Sequence, residues 1–457
     1  MSSAVQHSGQ PEAVPAASYR AAVTPDRLAT LAPSPHSRLH TAIIQAPRLL
    51  PLMWHLYTAR MTENVVDIDV VILGGGCAGL WALNVLRGAG YSAALFDSGD
   101  LGSGQTVHSQ GMIHGGLKYA LGGVAGEDAD ALAGMPGAWR DCLSGRGSVD
   151  LRGCEIASDN VLLWSAGDLS SRVAALLASR LVHGNAGALH PGEYPSPFDS
   201  PDFRGRLFRL EDFVIDTGSL LASLARPWQA SIFGIDWSCS SLRVEDGHAV
   251  LKLPGTTLRP RQLLLCAGAG NAGLLQALGA SAPVMQRRPL TQVLVRHERL
   301  VPLFAHCIGR SSSPKLTVST HTSRDGEVTW YLGGDVATAE SLAPAARVAR
   351  AQEELAATLP WLDLEGGDWR TVTLDRAEPC HPGGRKPAGV SLERAADLAN
   401  TLVAWPVKLA LCPALGEQLL ASLRQAGIGP GTTPELSGLA SLSRPGFATP
   451  CWETAFA

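Results

Sequence analysis

The stretch Val70-Val71-Ile72-Leu73-Gly74-Gly75-Gly76-Cys77-Ala78-Gly79 leaves this chain few folds. Four apolar residues in a row mark a strand buried on both faces, the habit of a parallel sheet. Gly74, Gly76 and Gly79 then set the spacing G-x-G-x-x-G. Leu80, Leu83, Val85 and Leu86 follow at roughly helical spacing, and Gly88 and Gly90 are natural helix stops. Ala93-Ala94-Leu95-Phe96 reads as a second strand that ends in Asp97, eighteen residues past Gly79. This is one strand–helix–strand unit. Gly74 permits a tight turn, Gly76 lets the backbone approach a pyrophosphate, and Gly79 lets helix and strand pack closely. The helix start, with Cys77 and Ala78, offers N–H groups and partial positive charge to the phosphates, and Asp97 is placed to bind a ribose diol. A merely structural turn needs neither three glycines nor the acid, so the unit is expected to bind a dinucleotide.

The remaining bulk properties narrow the class. A chain of 457 residues is two or three domains' worth. A formal net charge of -4 advertises neither nucleic acid nor an anionic membrane as a partner. Only five of the 37 basic residues are lysines, so a single lysine carries more information here than a single arginine. Nine cysteines, an odd number with no C-x-x-C pair, argue against a zinc ribbon, an iron–sulfur cluster or a disulfide framework, and no metal site is expected. They suit a reducing compartment, and a cytoplasmic location is expected, with peripheral membrane association left open. No run of 18 apolar residues marks a transmembrane helix; Thr41 to Thr58 is broken by Pro47, Arg48 and Pro51. The first sixty residues hold only two acids, Glu12 and Asp26, and residues 1–65 are set apart as a disordered extension or a mis-assigned start. A transit peptide is a third reading. A start at Met61 is preferred, because Met61 lies a few residues before the first strand.

Later segments repeat the alternation. Asp216 to Leu224 reads as a helix, with Leu220, Leu221 and Leu224 on one face. Gln262 to Cys266 is another buried-type strand, closed by Ala267-Gly268-Ala269-Gly270. Strand-like patterns occupy 287–370, including Gln292 to Val295 and Val328 to Tyr331. Leu402 to Trp405 reads as a strand and Pro413 to Arg424 as a helix. The expected class is α/β: a Rossmann-like domain from 66–145, 211–285 and 371–430, an inserted mixed-sheet substrate domain from 146–210 and 286–370, and a C-terminal tail at 431–457.

The stretch Leu101 to Tyr119 is rich in glycine and small polar side chains, which suits a chain running extended under an elongated cofactor. A simple nicotinamide enzyme would enter another crossover helix here. The pattern Gln105-Thr106-x-His108-x-x-Gly111-x-Ile113-His114-x-Gly116 resembles the D-amino-acid-oxidase-like superfamily of FAD enzymes. It is similar to the equivalent segment of L-2-hydroxyglutarate oxidases, and His114 to Tyr119 is similar to FAD-linked glycerol-3-phosphate dehydrogenases. Asp216 to Leu221, Leu264 to Gly270 and Trp405 to Pro413 follow in family order, so the resemblance spans about 66–425 as short islands. It implies FAD as cofactor, with Gln105, Thr106, His108, Gly111, Met112, Ala267, Gly268, Lys408 and Leu409 added to the turn residues as its contacts. One departure stands out: Trp405, Pro406 and Lys408 replace the glycine-rich turn that the family usually carries in its last flavin loop. A cation there, with the helix from Pro413, would favour the negative charge of reduced flavin.

Oxidising an alcohol requires a base for the hydroxyl proton, and histidine titrates in the useful range. His114 and His108 are the candidates, each with the alternative of a flavin contact. A substrate carboxylate or phosphate calls for an arginine. Arg287, Arg288, Arg310 and Arg385 are candidates, and the family resemblance favours Arg385. Expected partners are a small-molecule substrate and an electron acceptor: oxygen, a quinone or a partner protein. Hydride transfer from a 2-hydroxy acid or glycerol-phosphate type substrate is the leading function. An amine or amino-acid oxidase, or a flavin-binding electron-transfer subunit without its own turnover, are the competing ones.

Overall fold

The computed structural model describes residues 64–116, 131–165, 186–309, 314–338, 342–380, 387 and 389–457. Arg310 and Arg385 lie outside the described residues, as does the extension before residue 64. Among the described residues, no helix is long and apolar enough to cross a membrane.

The apolar run of the opening motif is the centre of the first sheet. Five parallel strands stand in the order Ile232–Gly234, Ala93–Asp97, Asn64–Leu73, Thr256–Leu265 and Thr401–Trp405. Ile72 pairs with Leu95 on one side and Leu264 on the other, and Leu264 with Leu402. Side chains alternate across a strand, so a strand covered on both faces must be apolar at every position. Val70 and Ile72 pack with Leu80, Leu83, Leu220, Leu224, Leu415 and Leu419 of three helices, Cys77–Gly88, Thr217–Ala225 and Cys412–Gln425. Val71 and Leu73 pack on the opposite side with Leu251, Leu275 and Trp405. The opening strand begins at Asn64, earlier than its apolar run, because Asn64 to Ile68 find ladder partners in Thr256 to Pro260. Asp69 lies buried in this strand. Burial alone would raise its carboxyl, but hydrogen bonds from Gly431, Ser92 and Arg261 outweigh that and hold its pKa below the usual value.

The second sheet is mixed and has eight strands. Their order is Asp368–Pro379, Met285–Arg296, Val328–Gly333, Pro314–Thr322, Ala305–Ile308, Val161–Ser165, Arg206–Leu210 and Ala186–Ala188. One face carries Val293, Val295, Trp330, Leu332 and Val318 against Ala351 and Leu355 of the helix Pro344–Thr358. The other presents Gln292, Leu294, Tyr331, Ser319 and His321. The strand Asp368–Pro379 crosses the expected boundary at 370/371 and pairs along its whole length with Met285–Arg296. A small third sheet, Met112–Ile113, Phe213–Ile215 and Ile156–Ser158, packs on the second through Met112, Val214 and Val161.

Candidate cofactor and active site

The glycine turn is built as its spacing requires. Gly74 has φ +112°, and a Cβ there would stand 2.6 Å from the backbone of Ala267. A Cβ on Gly79 would stand 1.9 Å from the Gly74 carbonyl oxygen. Helix and strand therefore touch through bare backbone. The first turn of the helix Cys77–Gly88 leaves amides without intrahelical partners. That of Cys77 donates to Thr106 Oγ1 at 3.1 Å, which ties the turn to the loop after the second strand.

Asp97 accepts from Gly75 N at 2.5 Å and Gly99 N at 2.8 Å. Burial still raises its pKa above the usual carboxylate value, because the backbone donors of Gly75, Gly99 and Ser98 only partly offset desolvation. A ribose diol would add the donors that such a carboxylate favours. Asp97→Ala leaves those amides without their acceptor and removes the diol contact. Hydrogen bonds to a charged group contribute about 1.5–3 kcal/mol, so FAD affinity of the apoprotein should fall about tenfold or more by flavin fluorescence titration.

These residues open onto a cavity of about 1220 Å³. Its wall includes Gly74, Gly76, Cys77, Ala78, Asp97, Gln105, Thr106, His108, Ala267, Gly268, Lys408 and Leu409. Nearly all the expected contacts thus converge from five separate stretches of chain. Gly79 stands behind the wall and acts through packing. Gly111, with φ +70°, seats the loop on the third sheet, where its carbonyl accepts from Ile215 N at 3.0 Å, and Met112 is buried against Val161 and Val214. His114 is buried beyond Ile113 and is not on the described cavity wall.

Several lining residues carried no signal in the sequence. Near Asp97 the wall is made by Ile235, Trp237, Leu242 and Arg243; away from it, by Leu290 and Thr373 to Ala377 of the second sheet. The apolar run at Ile232 could have located that edge strand, but nothing local marks Trp237. Two of the candidate arginines lie among the described residues. Arg288 forms a two-pronged ion pair with buried Glu378, and Arg287 reaches the Ala269 carbonyl and Asp375, whereas Arg376 lines the cavity.

The last loop is strained. Lys408 N donates to Pro406 O at 2.7 Å across Val407, whose φ is +65°. That is the rare form of γ-turn, and a β-branched residue pays most for it. The turn leads into Leu409–Leu411 and then the helix Cys412–Gln425, so Lys408 and a helix start face the same cavity. Beneath them Cys77 and Cys412 place their sulfurs 3.3 Å apart. The hydrogen bond that the Cys412 thiol makes to Cys77, then burial, pushes Cys412 well up, and burial takes Cys266 to about 12, so Cys412 and Cys266 are protonated core thiols.

The cavity fits FAD on the structure's own terms. It exceeds the ~300–1,000 Å³ of ordinary small-molecule pockets. Its floor is formed where Gly74 and Ala267 meet through bare backbone, and its walls bring together a desolvated carboxylate, helix-start amides and a lysine. Residues 69–377 match the sequence model of the DAO family, described as FAD dependent oxidoreductase. This chain belongs to that family. A probable FAD-dependent oxidoreductase of Pseudomonas aeruginosa, PA4991, is 41% identical over 396 residues, covering 86% of this chain and all of that protein. The crystal structure of PA4991 matches with TM-score 0.73 and 37% identity over 86% of this chain and 99% of that one. Glycine oxidase from Geobacillus kaustophilus (TM-score 0.57, 18% identity, 83% and 99% covered) and L-alpha-glycerophosphate oxidase from Mycoplasma pneumoniae (0.56, 14%, 83% and 99%) share the fold. The protein is an FAD-dependent oxidoreductase of the DAO family, with a Rossmann-like cofactor domain.

Proposed function

We propose that this DAO-family protein oxidises a small polar substrate of the 2-hydroxy acid or glycerol-phosphate type, and that the second sheet forms the substrate side of the site. The observation that carries this reading is the contact that His108, on the cavity wall, makes through Nδ1. Its Nδ1 lies 2.5 Å from the Gly104 carbonyl oxygen. A carbonyl only accepts, so Nδ1 holds the proton and Nε2 of the neutral ring is left as the basic nitrogen. A hydroxyl donor needs such a base; a neutral amine does not.

Bound FAD, held by the glycine turn, Asp97 and the 104–109 loop, would supply the redox chemistry as hydride acceptor. The chain supplies position and charge. Lys408 and the start of the helix Cys412–Gln425 oppose negative charge on the reduced cofactor. Arg376, on the second-sheet side, meets the substrate's carboxylate or phosphate, a role for which Arg385 also remains a candidate. One observation favours the amine reading instead: His114, the other expected base, stands off the described cavity wall.

Anaerobic titration of the flavin band with 2-hydroxy acids, glycerol 3-phosphate and amino acids separates the readings. Bleaching by a hydroxy member supports the proposal, and bleaching by amino acids alone overturns it. A band that no donor bleaches favours a flavin subunit without its own turnover.

A further inference from the structure

The loop from Leu101 to Ile113 carries Gln105, Thr106 and His108 into the cavity, and the C-terminal segment holds it at both ends. At the first end, Leu101 N donates to Gly446 O at 2.8 Å and Ala448 N to Leu101 O at 2.9 Å, so Phe447 forms a parallel bridge with Leu101. Leu101 in turn fills the space beside Gly75, where a Cβ would stand 2.4 Å from its Cδ2. The segment is anchored just upstream, where Gly234 N donates to Ser443 O at 2.8 Å and Arg444 lies 4.2 Å from the Phe233 ring.

At the other end the contact passes through Tyr331. Its hydroxyl donates to the His108 carbonyl at 3.1 Å and lies 2.7 Å from Gln292 Oε1. Gln110 Nε2 donates to Tyr331 O at 2.7 Å and Ser319 Oγ at 3.1 Å. The same face of the second sheet is covered by the short helix Cys451–Thr454. Trp452 stacks on His321 with ring centroids 3.8 Å apart, and the Cys451 thiol meets the Tyr331 phenol. Arg296 Nη2 donates to Trp452 O at 2.8 Å, Phe456 lies 4.3 Å from the Arg296 guanidinium, and Glu453 accepts from Arg324 N at 3.0 Å.

We propose that residues 443–457 are a strap that positions the cofactor loop, so that FAD affinity depends on Trp452 and Tyr331 although neither is on the described cavity wall. The segment bridges the edge of the first sheet and the Tyr331 face of the second; it meets the loop directly at Leu101 and reaches the loop's other end through Tyr331. Packing Trp452 on the sheet holds Tyr331, and Tyr331 holds the His108 carbonyl and, through Gln110, the loop's exit. The inference is independent of which donor the enzyme oxidises.

The test uses the full-length chain with three substitutions, Trp452→Ala, Trp452→Phe and Tyr331→Phe. FAD dissociation constants are read by fluorescence, and melting of the apoprotein is read alongside. Trp452→Ala should raise the FAD dissociation constant about tenfold, Trp452→Phe should recover most of that because a ring still stacks on His321, and Tyr331→Phe should raise it several-fold, about five, with apoprotein melting lowered less than in Trp452→Ala. Tyr331→Phe removes one hydroxyl from a buried site and keeps the test decisive if Trp452→Ala does not fold. FAD affinity within about twofold of the parent in Tyr331→Phe overturns the proposal. So does a lowered melting temperature in Trp452→Ala with FAD affinity intact, which would make the strap structural only.

Discussion

Alanine at Gly79 should yield protein without flavin. The added Cβ would stand 1.9 Å from the Gly74 carbonyl oxygen and 3.1 Å from its carbonyl carbon. Both are backbone, so no side-chain rotation relieves the overlap, and the helix Cys77–Gly88 must move off the strand. That movement costs more than about 3 kcal/mol and carries the helix-start amides away from the pyrophosphate position. Gly88 is the control in the same helix. A Cβ there meets nothing within 4 Å, and alanine should stabilise the helix by up to about 1 kcal/mol with FAD content unchanged. Flavin-to-protein absorbance ratio and urea midpoint read both outcomes. Full flavin content in Gly79→Ala would contradict the packing role assigned to this glycine.

Acid should destabilise the protein through His321. Burial lowers its pKa from 6.5 to about 3, with the ring under Trp452, edge-on to Tyr331 and 2.9 Å from Ser319 Oγ. The unfolded chain takes up a proton below 6.5 and the folded chain does not until about pH 3, so stability is lost progressively as pH falls through that window. At 1.36 kcal/mol per unit, the loss from this group is about 2 kcal/mol by pH 5. Asp69, with its lowered pKa, adds to the loss at lower pH still, so the informative quantity is a difference. Denaturation of the parent and of His321→Gln at pH 7 and pH 5 should show the gap between them shrinking by about that amount. Parallel curves would place His321 in contact with water.

The contrast between these two residues shows what could be read in advance. Gly79 belongs to a local pattern: a strand, a turn and a helix within a few residues, each with its own periodicity, and the turn chemistry follows from spacing alone. Ala267, Gly268, Lys408 and Leu409 were reached through family resemblance, since their place on the cavity wall depends on where distant strands of the first sheet end. His321, Tyr331 and Trp452 gave no signal because they meet only when the second sheet folds and the C-terminus returns to it. The same limit applies to the histidines. His108 and His114 sit in one motif, yet the short strand Met112–Ile113 turns the chain onto the third sheet between them, and His108 alone of the two lines the described cavity. Val407 carries a positive φ where glycine was the usual expectation, a strain that neither propensity nor periodicity predicts.

Hydrogen–deuterium exchange of the apoprotein against the FAD-loaded protein tests the central claim, that one cavity assembled from five stretches of chain holds the cofactor. The structure predicts protection at 73–78, 96–98, 104–109, 267–270 and 405–409, and along the rest of the wall at 235–243 and 373–377, with the helix Pro344–Thr358 behind the second sheet unchanged. Protection confined to the glycine turn, or appearing outside these stretches, would contradict it.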